Sequence, residues 1–68
     1  MKVKSSTISE IDRKEVKGQT FMKIVFTNGR EYLYEGVDEQ TYNEFLNSES
    51  KGKYFHQHIN GRYKYSRV

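Results

Sequence analysis

The clearest pattern in the chain is a pair of apolar-polar segments joined by Asn28-Gly29. The first covers residues 20–27 and the second residues 30–37, and both consist largely of aromatic, aliphatic and β-branched residues. Segments of this kind on either side of an Asn-Gly pair are typical of an antiparallel β-hairpin. The sequence therefore predicts a hairpin that turns at residues 28 and 29.

The register of this hairpin depends on the length of its loop. A two-residue loop would set Ile24 opposite Leu33, whereas a three-residue loop ending at Gly29 would set Ile24 opposite Tyr32. We prefer the longer loop because it gathers one apolar set on a single face: Met22, Ile24, Phe26, Tyr32 and Tyr34. The other face would then carry Phe21, Val25 and Leu33 among charged residues.

The remaining segments predict one further strand and two helices. Residues 5–12 are half-polar and β-branched, which favours a short first strand, and residues 13–19 predict a charged turn. Asp38 is a good N-cap for a helix over residues 39–49, on which Tyr42, Phe45 and Leu46 recur at helical spacing. We therefore expect a helix of about three turns after the hairpin.

The C-terminal part predicts a second, short helix and an extended tail. Ser50 would begin this helix, and Asn60-Gly61 would end it in a left-handed conformation after Ile59. Residues 62–68 alternate aromatic with polar or basic residues and would add a fourth strand if they pair with the sheet. The predicted fold is α+β, with a small antiparallel sheet of three strands, or four with the tail, packed by these two helices.

Composition limits the class of protein. At 68 residues, the chain is short enough for one small core, so we expect a single domain over residues 1–68. It has no cysteine, which excludes disulfides and thiolate metal sites, and it has no long apolar run for a signal peptide or membrane span. We therefore expect a cytoplasmic protein that does not associate with membranes.

The charges are sorted into blocks along the chain. Residues 31–49 carry six acidic and no basic groups, whereas residues 50–68 carry five basic and no acidic groups. Such asymmetry points to an anionic partner for the basic block or to pairing between the two blocks.

The order of these features resembles the KTSC domain, a short family named for its occurrence at the C-terminus of some lysyl-tRNA synthetases. The resemblance spans nearly the whole chain and is carried by these residues: Ser5-Ser6, Ile8, Met22-x-Ile24-x-Phe26, Gly29, Tyr32-x-Tyr34, Val37, Tyr42, Leu46, Ser50-x-Gly52-x-Tyr54-Phe55, Ile59, Tyr63 and Arg67. Glu49 departs from the small apolar residue that the family tends to have there. The resemblance implies a small α+β module with RNA binding as its suggested role, and it transfers no catalytic residues.

Basic and aromatic residues alternate in the C-terminal block. Cations that follow phosphates and flat rings that stack on bases are what single-stranded nucleic acid requires. The candidate residues for binding nucleic acid or another anion are Ser50, Lys51, Lys53, Tyr54, Arg62, Tyr63, Lys64, Tyr65 and Arg67. The competing interpretation, which we rate somewhat higher, is that the aromatic residues belong to the core and the cations form a solvated face.

Two shorter motifs have both a functional and a structural interpretation. Ser50-x-Gly52 at a helix start would receive a phosphate or carboxylate, but a plain N-cap explains it better. Tyr32-x-Tyr34 would form an exposed stacking platform, but the flanking acids Glu31 and Glu35 repel phosphate. We therefore expect both rings to pack under the 39–49 helix.

Catalytic and metal chemistry have little support. His56-x-His58 on a helix would place the two imidazoles on different faces, and no third ligand has useful spacing. We expect no enzyme activity, metal or cofactor. The function we favour is a binding module for RNA or single-stranded nucleic acid. The alternative is a protein-interaction or homo-oligomeric module, in which subunits enclose a small anionic, nucleotide-like ligand near Ser50 and Lys53.

Overall fold

A computed structural model describes all residues from Met1 to Val68 and has an α+β architecture. Its four-stranded antiparallel sheet has the order β1-β2-β3-β4. The strands are β1 Ile8–Val16, β2 Gln19–Phe26, β3 Glu31–Glu35 and β4 Tyr65–Arg67, and the helices are α1 Glu39–Asn47 and α2 Lys51–Tyr54, which continues into a π-helical turn, Phe55–Ile59. The predicted fold class is confirmed, and the C-terminal tail supplies the fourth strand.

The β2-β3 hairpin has the longer of the two predicted loops. Ile24 pairs with Tyr32 and Met22 with Tyr34. The backbone amide of Phe26 donates to the carbonyl of Arg30 at 2.9 Å, and Gly29 closes the three-residue loop with a φ of +90°. Glycine adopts this left-handed conformation at little cost, which makes the register stable.

The first strand is longer than predicted, and the predicted turn over residues 13–19 is wrong. β1 continues to Val16, and only Lys17 and Gly18 form the reversal, with φ values of 51° and 79°. Two consecutive positive φ values are typical of the primed turns that join tightly paired strands. The charged residues after Asp12 extend the strand because the backbone of β2 supplies their hydrogen-bond partners.

The core lies on one face of the sheet, between the strands and the helices. Its fully or nearly buried side chains are Ile8, Ile11, Met22, Ile24, Tyr34, Val37, Phe45, Phe55 and Ile59. The opposite face carries Phe21, Val25 and Leu33, which are half-buried among charged neighbours. The preferred division of the hairpin between two faces is therefore confirmed.

Two serines divide the helical region. α1 begins at the Asp38 cap, whose carboxylate accepts from the Thr41 amide at 2.8 Å, and this hydrogen bond lowers the pKa of Asp38. α1 ends two residues earlier than predicted, because the Ser48 hydroxyl donates to the Phe45 carbonyl at 2.7 Å in place of a further turn. Ser50 then caps α2, accepting from the Lys53 amide at 3.3 Å.

The second helical segment covers the predicted residues but changes its hydrogen-bond pattern. The amide of Asn60 donates to the carbonyl of Phe55 at 2.8 Å, which is the i→i+5 bond of a π turn. Asn60 has a φ of −64°, so the left-handed stop predicted for the Asn60-Gly61 pair falls on Gly61 alone, with a φ of +80°. No helix is long and apolar enough to cross a membrane.

Candidate functional site

Five aromatic side chains from four elements meet on the inner face of the sheet, beside the π turn. Each ring contacts the next, with centroid distances of 5.3 Å for Phe26–Phe55, 5.8 Å for Phe55–Tyr34, 5.6 Å for Tyr34–Tyr65, and 5.7 Å for both Tyr65–Tyr32 and Tyr32–Phe26. Together with Asn60 they line a cleft of about 220 Å³, which we call the aromatic cleft. The five rings form a closed circuit rather than a row.

Strand geometry explains why these rings converge. Side chains two residues apart on a strand share a face, so Tyr32 and Tyr34 both point inward. β4 pairs Tyr65 with Tyr34, and the three-residue hairpin loop leaves Phe26 beside Tyr32. The fifth ring, Phe55, belongs to the π turn and packs against Phe26 and Tyr34.

The cleft offers polar groups that the protein itself does not use. Tyr54 is the only tyrosine whose hydroxyl forms a hydrogen bond within the protein, and Tyr54 lies elsewhere. Tyr34 is only 4% exposed, yet it lines the cleft, and its hydroxyl is neither hydrogen-bonded within the protein nor fully buried. Burial, with the neighbouring phenols of Tyr65 and Tyr32, raises the pKa of Tyr34 to about 12. At neutral pH it is therefore a neutral O–H group.

The surroundings of the cleft are positively charged. None of its lining residues is acidic. Arg67 lies opposite Tyr32 and shares the inner face with Tyr65. Tyr65 is 60% exposed, and Arg67, two residues later on the same strand and the same face, is exposed as well. The cleft thus combines flat apolar surface with a cationic border.

A second, wider cleft of about 440 Å³ lies at the end of the sheet. It is lined by Gly18, Gln19, Thr20, Phe21, Glu35, Gly36, Arg62, Tyr63 and Lys64. The guanidinium Nε of Arg62 donates to the Gln57 carbonyl at 3.1 Å, so this side chain also holds the end of the π turn. The cleft contains both cations and the Glu35 carboxylate, so its charge is mixed.

The other predicted site residues lie at the junction between α1 and α2, away from both clefts. The Lys51 ammonium donates to the Ser48 carbonyl at the end of α1, where a cation complements the helix dipole. Tyr54 stacks on Phe45 with a centroid distance of 5.1 Å and an interplanar angle of 17°. Its hydroxyl donates to Glu44 at 3.1 Å, and desolvation followed by this carboxylate raises the pKa of Tyr54 to about 12.

The Ser50-x-Gly52 motif forms a plain helix N-cap, which is the structural interpretation of its sequence. The Ser50 hydroxyl oxygen accepts from the Lys53 amide, and a Cβ at Gly52 would lie 3.3 Å from the hydroxyl oxygen of Thr7. Gly52 therefore permits α2 to approach the N-terminal segment. Lys53 points outward and is exposed.

Sequence reasoning found part of the aromatic cleft and missed the rest. Tyr32, Tyr34, Tyr65 and Arg67 were all candidates, but the aromatic neighbours of the two β3 tyrosines are Phe26, Phe55 and Tyr65 rather than a ring of α1. The sequence places Phe26 only on the apolar face of the hairpin and Asn60 only at a helix stop, and Phe55, although it lies in the basic-aromatic block, is not among the predicted binding residues. The preferred hairpin register was the one signal that could have brought Phe26 to the tyrosines. No group of three or more His, Asp or Glu side chains is placed to hold a metal ion.

Comparison with known proteins gives a family. The family model described as the KTSC domain matches residues 4–63. A crystal structure of a KTSC domain protein from Yersinia pestis superimposes with a TM-score of 0.87 at 29% sequence identity, covering 100% of this chain and 93% of that one. No curated protein sequence matches the chain. Because the family model covers most of the sequence and the solved structure shares the whole fold, the chain belongs to the KTSC domain family.

Proposed function

We propose that this KTSC domain is a non-enzymatic module that binds single-stranded nucleic acid, RNA in particular, through the aromatic cleft and the basic residues beside it. The observation that carries the proposal is the closed circuit of five rings. The tyrosine hydroxyls of this circuit and the Asn60 side chain have no hydrogen-bond partner in the protein, and the cation Arg67 lies beside them. Bases of a duplex are already stacked and paired, so only an unpaired base has a free face for such a cleft.

The size and lining of the cleft support a base as the bound group. At about 220 Å³ it is smaller than the roughly 300 Å³ at which drug-sized ligand pockets begin, so it suits a single ring system. Stacking of one base on an aromatic side chain contributes about 1–3 kcal/mol. Because the Tyr65 ring is largely exposed, the cleft is accessible from that side, and a base would enter there.

The charges support a polyanion as the source of that base. Residues 50–68 carry no acidic group, and Arg67 borders the cleft from β4, two residues after Tyr65. A phosphate next to a bound base would meet Arg67, and this contact would release counterions and make the affinity depend on salt. Lys53 and Arg62 extend the exposed basic surface along the same segment.

The alternative, a protein-interaction or homo-oligomeric module, has less support. Its candidate surface is the outer sheet face of Phe21, Val25 and Leu33. These side chains are half-buried, and the Lys23–Glu31 ion pair at 3.8 Å lies among them. At the predicted anion site near Ser50, the backbone amide of Lys53 already donates to the Ser50 hydroxyl oxygen, so this donor is not available to an anion.

The test is an amide and aromatic NMR titration with a pool of short single-stranded RNAs at low and near-physiological salt. The proposal predicts shifts at the cleft residues and β4 that weaken steeply with salt. Shifts confined to the outer sheet face, or no shifts at either salt concentration, would contradict it. A matched titration with double-stranded RNA is the control, and it should give markedly smaller shifts.

A further inference from the structure

Asn60 is the one lining residue of the aromatic cleft that is not aromatic. Its backbone is fixed, because its amide donates to the Phe55 carbonyl at 2.8 Å and its neighbour Gly61 ends the helical segment. Its side chain is exposed at the rim, and the side-chain amide has no hydrogen-bond partner within the protein, unlike those of Asn28 and Asn47. The Asn60 side chain therefore offers a free donor and a free acceptor at the rim of the five aromatic rings.

The walls and the amide would contribute differently to binding. Every base has a flat face, so stacking on the five rings adds affinity with little discrimination between bases. Discrimination requires directional groups, and a side-chain amide presents a carbonyl acceptor beside an N–H donor. On the Hoogsteen edge only adenine presents such a pair, with the N6 amino donor beside the N7 acceptor, and asparagine binds it through two hydrogen bonds.

The electrostatics disfavour the other common ligand of aromatic cages, a quaternary ammonium group. Such cations are attracted to the negative faces of aromatic rings. Here the lining contains no carboxylate, while Arg67 lies beside the rings. The border would repel a cation and attract the phosphate attached to a nucleotide.

We propose that the aromatic cleft holds one unpaired base per domain, and that the Asn60 amide reads its edge with a preference for adenine. This rests on the proposed function, because it assigns base selectivity to the same cleft. The stacked rings supply affinity, Arg67 engages a flanking phosphate, and Asn60 sets the selectivity.

The experiment measures the affinities of short oligouridines that differ only in one central base, A, C, G or U. The wild-type protein should bind the A-centred strand at least about fivefold more tightly than the U-centred strand, the lower end of what a bidentate contact to a base provides. Asn60→Asp replaces the donor by a second acceptor. It should therefore lower the ratio of A-centred to G-centred affinity, because guanine presents two donors on its pairing edge. Asn60→Ser, which cannot make the bidentate contact, should bring the four affinities together.

The matched control is Asn43→Asp, an exposed asparagine on α1 with the same change of charge. It should lower all affinities slightly and leave the ratios unchanged. Wild-type protein that binds all four strands equally, or an Asn60→Asp variant with unchanged ratios, would overturn base reading and leave nucleic-acid binding intact. If the wild-type protein binds none of the strands, the proposed function itself fails.

Discussion

The two ends of the basic-aromatic segment have similar compositions and opposite environments. Between Ser50 and Tyr54, each polar side chain that faces the protein has a partner within it, and the tyrosine stacks on Phe45. Around Tyr65, the phenols and the Asn60 amide have no partner in the protein, and the ring is largely exposed. The same residue types therefore stabilise the fold at one end and remain free for a ligand at the other.

The largest effect should come from the structural end. Phe45→Ala removes a fully buried ring that also supports Tyr54. Truncation of a buried phenylalanine costs about 3–5 kcal/mol, a large part of the stability of a small domain. Chemical denaturation should show this loss. A change below about 1 kcal/mol would mean that the α1–α2 junction does not depend on this stack.

The next-largest effect should come from the Tyr65 end of the segment, and it should change the affinity for RNA rather than the stability. Tyr65→Ala should weaken binding of single-stranded RNA by about 1–3 kcal/mol, or roughly 5- to 150-fold, because one stacking wall is lost. Its free energy of unfolding should fall by less than about 1 kcal/mol, since the ring is 60% exposed. Fluorescence anisotropy and urea denaturation on the same sample measure both quantities. If the variant and the wild type bound RNA with equal affinity, the Tyr65 end would not be a ligand-binding end, and it would not differ in role from the Ser50–Tyr54 end.

A smaller effect on stability should follow from the removal of a single hydroxyl group, that of Tyr54. Tyr54→Phe keeps the stack on Phe45 but deletes the donor to Glu44 and to the Thr41 carbonyl. The unfolding free energy should fall by about 0.5–1.5 kcal/mol, the usual net value of one hydrogen bond. RNA affinity should stay at the wild-type value. Reduced affinity in this variant would show that the structural end also contacts the ligand.

The pH dependence of stability should reveal both tyrosines with raised pKa values. The pKa of both Tyr34 and Tyr54 is about 12 in the fold, whereas the ordinary pKa of tyrosine is 10.0. Between these pH values the unfolded state binds fewer protons than the native state, so stability falls as pH rises through this window. Equilibrium unfolding from pH 9 to 12 should show the decline, and Tyr54→Phe should make it shallower. An unchanged slope in that variant would contradict the assignment for Tyr54.

The smallest effect concerns single cations. Arg67→Gln should reduce the salt slope of RNA binding by about 0.7, the value for one phosphate contact on a single strand. Lys51→Gln is the matched control, because the Lys51 ammonium is already committed to the Ser48 carbonyl. It should leave the salt slope unchanged and lower stability slightly. Identical salt slopes for the two variants would mean that Arg67, like Lys51, makes no contact with a phosphate.

The local elements could be predicted because their signals are local. Asn28-Gly29, the Asp38 cap and the Ser50 cap each lie within a few residues of the structure they determine. The full length of β1 could not be predicted, because residues 13–16 have no apolar alternation and become a strand only through pairing with β2. Backbone hydrogen bonds to a neighbouring strand leave no trace in the side-chain pattern.

The candidate site was predictable only in part, for a related reason. Tyr65 and Arg67 follow from composition and alternation within a single strand. The circuit also needs Phe55, and the i→i+5 bond of the π turn that contains it has no sequence pattern of its own. Which basic residues remain free is likewise decided by tertiary partners such as the Ser48 carbonyl, not by the charge block itself.

The central claim is that the aromatic cleft, and not the α1–α2 junction or the outer sheet face, receives a base. Intermolecular NOEs between isotope-labelled protein and an unlabelled single-stranded RNA test this most directly. The account predicts NOEs from base protons to the ring protons of Tyr65, Tyr32 and Phe55. Base NOEs to Tyr54, or to Phe21 and Leu33 on the outer face, with none to the cleft, would contradict it.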